Sequence, residues 1–175
     1  MKKIYDDTAN DPMAWLLTAD NNLIAADTLE NAKQAALKAP RQSEPIMRTA
    51  WVSVMLRAFA VECLLKGIHV TGGGALSQSG KISGFPGKHD LVAMWKYVKL
   101  PALTPDQERV LTKLTDVSTS LGRYPVAMTW ERNNPIPGGL VRQTWNTGED
   151  QTLAALVHDL KSRLAPSIQP YSPQP

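Results

Sequence analysis

The sequence predicts an all-α protein, an up-and-down bundle of about five helices with an insertion near residues 126–147. Three observations lead there. Residues 46–70 run without a proline and carry a single glycine, Gly67, near their end. As a helix that stretch would be about 37 Å long. Apolar residues recur at helical spacing over residues 12–38, 91–98, 105–121 and 149–164. Aromatic residues make up only 6% of the chain, and the aliphatic and alanine content that replaces them favours helices over a sandwich.

Taken in order, residues 1–11 carry Lys2 and Lys3 with no apolar run behind them, so no signal peptide is expected. Asp11 and Pro12 form a helix start, cap and first-turn proline. Trp15, Leu16, Ala19, Leu23, Ala26, Leu29, Ala32 and Ala36 then keep helical phase to residue 38, and the Ala39-Pro40 step ends the helix. In the first half of residues 46–70, Thr49, Ser53 and Arg57 form a polar stripe. Ala60 and Leu64 continue the same row as apolar positions, the mark of a helix that becomes buried all round. Gly72, Gly73 and Gly74 are a glycine stop. Residues 75–88 read as a flexible, polar loop able to close over a ligand. Gly74, Gly80 and Lys81 within it miss the phosphate-loop pattern: the glycine spacing is one too long, Ile82 replaces Ser or Thr, and a helix precedes instead of a strand.

Asp90 caps a third helix whose inner face is Leu91, Met94, Trp95 and Val98. Thr104, Pro105 and Gln107 are a capping box with proline at its first position, opening a fourth helix through Val110, Leu111, Leu114, Val117 and Leu121. Residues 127–132 and 140–145 flank a turn-rich centre and form either a β-hairpin or an irregular loop. Glu149 and Asp150 start the last helix, with Leu153, Leu156, Val157, Leu160 and Leu164 facing inward. The chain thus reads as one domain over residues 1–165, followed by a flexible tail, 166–175, containing Pro170, Pro173 and Pro175.

A net charge of +3 and a pI near 9.0 suit RNA or nucleotide binding but are ordinary for a soluble protein. Cys63 is the single cysteine, which rules out an internal disulfide and reads as a small core residue. Three scattered histidines and one cysteine have no metal-ligand spacing, so neither a metal nor a cofactor is expected. Arg57, Glu62 and Lys66 interrupt the most apolar stretch, which argues against a membrane span and for the cytoplasm.

The chemistry-bearing residues are few. Glu62, Lys66 and His69 share one face of the second helix. Glu62 and Lys66 are either a surface pair or the lining of a polar cleft with His89, Asp90 and Arg123. His89, just before a helix, is either a loop residue or placed to meet an anion. Arg123 suits the end of its helix electrostatically, and Tyr124 is either a packed ring or a stacking surface. Trp130, Trp145, Arg132 and Arg142 offer stacking to bases or packing for the insertion.

Four short motifs in order resemble the HEPN superfamily, small helical bundles of toxin–antitoxin modules, phage-defence proteins and RNA-processing enzymes. They are Trp15-Leu16 through Ala26 in the first helix, Ala60-Val61-Glu62-Cys63-Leu64-Leu65-Lys66-Gly67 in the second, Lys88-His89-Asp90-Leu91 in the third, and Gly122-Arg123-Tyr124-Pro125 at the end of the fourth. The resemblance implies a homodimer with facing polar clefts, an RNA or nucleotide ligand, and an antitoxin or other protein partner. That family's nuclease signature is an arginine followed four to six residues later by histidine. Counting from Arg123, those positions are filled by Met128, Thr129 and Trp130. The expectation is therefore a non-catalytic binding module with Glu62, Lys66, His89, Asp90, Arg123 and Tyr124 at its site. The first alternative is a metal-independent RNase using His89 and Arg123 as its catalytic residues. The second is a purely structural, protein-interaction bundle.

Overall fold

A computed structural model describes residues 1–38, 50–83, 85–86, 89–121 and 145–164. Among them are six α-helices, one π-helical turn and one two-stranded hairpin, so the all-α expectation holds. The helices are α1 (Lys2–Ala9), α2 (Pro12–Lys38), α3 (Ala50–Thr71), α4 (Leu91–Tyr97), α5 (Pro105–Asp116) and α6 (Thr147–Leu164). The strands are β1 (Ser77–Gln78) and β2 (Lys81–Ile82). Of the insertion expected near 126–147, with its β-hairpin or irregular loop, residues 126–144 lie outside the described residues, and so does the tail at 166–175.

The centre is α3. Ala58, Ala60, Val61, Leu64 and Leu65 are at most 1% exposed, and α2, α4, α5, the π-helical turn and α6 all pack against this helix. A leucine buried to that degree contributes about 2–3 kcal/mol. Contacts near the two ends set the directions. Trp15 touches Gly67 and Asp27 reaches Arg57, so α2 runs antiparallel to α3. Asp150 meets Arg57 and Leu164 meets Gly67, so α6 runs parallel to α3. The buried alanines of α2, Ala19 and Ala26, bring the two long helices together. Gly67 lets α6 approach α3 in the same way, since a Cβ there would lie 3.2 Å from the Leu164 methyls.

The stops and starts follow the sequence chemistry. Asp11 accepts from the Met13 amide at 2.9 Å and Pro12 is the first residue of α2. The end of α3 is a Schellman motif: Gly74 N–H donates to the His69 carbonyl, Gly73 N–H to that of Val70, and Gly73 has φ +85°. Asp90 caps α4 by accepting from the Ala93 amide, and Thr104 with Gln107 forms the complete capping box of α5. In α6 the start lies two residues earlier than expected. Asn146 accepts from the Glu149 amide, and the Glu149 carboxylate accepts from the Asn146 amide, a second capping box.

Three elements differ from expectation. A helix, α1, precedes Pro12, where no element was expected. Residues 75–88 are not simply a polar loop, because Leu76 and Ser77 are buried and a hairpin turns at Ser79 (φ +56°) and Gly80 (φ +78°). The two differences have one cause. Asn10, at the end of α1, accepts from the Leu76 and Ser77 amides and donates to the Ser77 carbonyl. Asp6 accepts from the Ser77 hydroxyl and the Gly80 amide, and these bonds hold its carboxyl below the ordinary range. Last, the fourth expected helix does not stay α-helical to Leu121 but widens into a π-helical turn over Val117–Leu121. The Thr119 hydroxyl bonds the Thr115 carbonyl there, and Ser118 is buried against the core.

Candidate functional site

Glu62 organises the polar centre of the molecule. It is 8% exposed, on the side of α3 that meets α2 and the segment before α4. Its two carboxylate oxygens are divided between two partners: Oε1 accepts from Lys66 Nζ at 2.7 Å, and Oε2 lies 2.6 Å from His89 Nδ1. The Lys66 ammonium also sits 4.9 Å from the centre of the Trp15 ring, a cation–π contact that offsets part of its desolvation. Burial pushes the Glu62 carboxyl up. Hydrogen bonds from Lys66 and His89, and their charges, outweigh it and leave the group below the ordinary glutamate value.

His89 is held from two sides, by Glu62 at Nδ1 and by the Phe59 ring, 6.0 Å away between centroids. Its side chain remains 35% exposed. Its backbone lies at φ +56°, a left-handed conformation that costs a non-glycine residue of the order of 1 kcal/mol. That strain sits directly before the cap of α4 and turns the imidazole back toward α3. With Nδ1 engaged by a carboxylate, Nε2 is the nitrogen left to meet a ligand, as acceptor when the ring is neutral and as donor when it is protonated.

The structure therefore brings Glu62, Lys66 and His89 together. Asp90 stands next to them in sequence but is exposed, with its carboxylate on the Ala93 amide of its own helix. Arg123 and Tyr124 lie outside the described residues. His69 shares the face of Glu62 and Lys66 by spacing, yet its ring lies 5.2 Å from Phe85 and 5.4 Å from Tyr97. That aromatic cluster closes the end of α3: a Cβ on Gly74 would come within 2.1 Å of the His69 ring. Cys63 is buried, and burial pushes its thiol up to about 11, which makes it inert as a nucleophile.

Two further charged groups were not singled out in the sequence as a site. Glu149 is 2% exposed and accepts from Arg109 and Lys113, both at 2.8 Å. Burial raises its carboxyl, while the Lys113 and Asn146 hydrogen bonds and the two cations lower it further, to a net position below the ordinary value. Arg57 bonds Asp150 at 2.5 Å, and Asp150 also accepts from Trp145 Nε1 at 2.7 Å. Arg57 reaches Asp27 at the longer distance of 3.4 Å. Arg57 forms one end of a cavity of about 680 Å³ between α2 and α6. The polar stripe of α3 was a visible signal for Arg57. Nothing local marked Glu149 as buried.

Among the described residues no group of three or more histidines, cysteines and acids is placed to hold a metal ion. No helix among them is long and apolar enough to cross a membrane. No protein-family model matches the chain, and neither a curated protein nor a solved structure does.

Proposed function

We propose that this chain is a HEPN-like, non-catalytic module that binds the phosphate of a nucleotide or RNA at Glu62, Lys66 and His89, with Arg123 and Tyr124 completing the site. The observation that supports it most is the single carboxylate of Glu62 holding a lysine and a histidine side by side, with His89 partly open to solvent. Lys66 supplies a fixed point charge. His89 Nε2 supplies a directed donor when the ring is protonated, and Arg123 a planar fork for the phosphate oxygens. The backbone strain at His89 fits a residue positioned for binding. By the same reading the chain acts as a homodimer in a defence or toxin–antitoxin setting, with an antitoxin or other protein as a further partner.

A second reading draws on the Glu62–His89 contact. A carboxylate on Nδ1 fixes the tautomer and orients the ring with Nε2 outward, which is the arrangement a general acid–base histidine needs. In that case His89 would take the proton of an RNA 2′-hydroxyl as it attacks phosphorus, and return it to the departing 5′-oxygen. Arg123 would hold the charge on the phosphate.

One preparation separates the readings. The protein is incubated with labelled tRNA in EDTA, and binding of nucleotides and short RNA is measured at two salt concentrations. Binding that weakens with salt and with Arg123→Ala or His89→Ala, without cleavage, supports the module. Cleavage abolished by His89→Ala moves the assignment to a metal-independent RNase. Neither binding nor cleavage leaves a protein-interaction bundle. Light scattering that finds a monomer at micromolar concentration overturns the dimer.

A further inference from the structure

The cavity between α2 and α6 is built differently from the Glu62 site. Its bed is apolar, formed by Leu23 and Ile24 from α2 and Leu153, Ala154 and Val157 from α6. Ion pairs close both ends. At one end Asp20 and Lys161 are 2.5 Å apart. At the other, Asp27 and Asp150 share Arg57. Asp20 and Asp27 are two turns apart on α2, so the bed between the ends is about 10 Å long. A volume of about 680 Å³ lies in the range of small-molecule sites.

The charge in this cavity is not balanced. Asp20, Asp27 and Asp150 face Arg57 and Lys161, and two of the three carboxylates compete for one guanidinium. Asp150 holds Arg57 at 2.5 Å and Asp27 only at 3.4 Å. Exposure follows the same order: Asp27 is 67% exposed, whereas Arg57 is recessed at 15%. The excess negative charge is therefore concentrated on Asp27, at the open end of an apolar trough. His158, on the α6 side, is exposed and lines the same cavity.

We propose that this groove binds a cationic amphiphile, a primary amine carrying an unbranched or aromatic apolar body about 10 Å long. The ammonium sits on Asp27. The apolar body lies along Leu23, Ile24, Ala154 and Val157, toward the Asp20–Lys161 pair. Burying that body supplies most of the affinity, and the charge on Asp27 supplies the sign selectivity.

Octylammonium is the probe, with octanoate and octanol as controls of equal chain length, titrated into the full chain below their micelle-forming concentrations. Binding is followed by heteronuclear NMR and by tryptophan fluorescence, since Trp145 bonds Asp150 at the groove's end. The expected result is saturable binding of octylammonium with shifts confined to α2 and α6, and weaker binding of both controls. Ala154→Phe, at an exposed position, fills the trough without touching the core and should abolish binding. Asp27→Asn should weaken it about three- to fivefold, the size expected for an exposed charge. Far-UV circular dichroism and the thermal midpoint of each variant establish that it is folded. No saturable binding, equal binding of octanoate, or binding unchanged in folded Ala154→Phe would each overturn the proposal.

Discussion

Glu62 shows how one side chain couples stability to the candidate site. Its two oxygens satisfy a mostly buried lysine and a strained histidine at once. Replacing it with glutamine keeps the shape and one acceptor but removes the charge. Lys66 would then face the Trp15 ring without a counter-ion, at 17% side-chain exposure. The expected cost of Glu62→Gln is about 2 kcal/mol, within the range for leaving one partner of a partly buried pair uncompensated. A lower urea midpoint at unchanged slope would show it. An unchanged midpoint would mean that the pair is as weak as a surface one, the outcome that i,i+4 spacing alone suggests. In the sequence His89 stood before a helix cap and within the Lys88-His89-Asp90-Leu91 motif, which made it a candidate cleft partner of Glu62 and Lys66 without giving the contact itself. The bond to Glu62 spans 27 positions, and no local pattern reports it.

At the scale of elements, the hairpin depends on α1. A two-residue hairpin has too few bonds to persist alone. Here the side chains of Asp6 and Asn10 replace the missing neighbouring strand, binding the Gly80, Leu76 and Ser77 amides. The exposed charge pair Lys3–Asp7 adds little to this. Asn10→Ala should therefore remove hydrogen-exchange protection at Leu76 and Ser77 while leaving the amides of α3 and α5 protected. Protection retained at both positions would show that Leu76 burial alone holds the hairpin. The helices with strong local signals, such as the capping box of α5, were placed correctly. The short α1 was missed because it is only eight residues long, has no side-chain cap and buries only Ala9, with Ile4 and Tyr5 exposed, so too few apolar positions mark it.

For the whole molecule, acid sensitivity follows from the two buried glutamates. Glu62 and Glu149 both have folded-state values below the ordinary glutamate value. The unfolded chain therefore binds their protons more tightly than the folded one. The stability these groups supply is in full above about pH 5 and is lost as pH falls through the folded-state values. Unfolding free energies from urea titrations should be level from about pH 7 to pH 5 and fall below that, and Glu149→Gln should flatten the fall. A profile that stays level to about pH 3 would mean that neither carboxylate is coupled to the fold.

By itself the sequence determined the all-α class, the span of α2, the glycine stop of α3, the caps of α4 and α5, and the inward leucines of α6. Each of these depends on interactions within a few residues: periodicity, a capping side chain, a glycine able to take a left-handed turn. Only the tertiary structure decided that Glu62 joins Lys66 to His89 while His69 turns away to Phe85 and Tyr97. The same is true of Glu149 lying buried between Arg109 and Lys113, and of α2 and α6 standing apart over Arg57 to leave a groove. These depend on where separate helices cross. Helix crossings are set by the fit of small residues such as Ala19, Ala26 and Gly67 against neighbours far along the chain, a property that no local window contains.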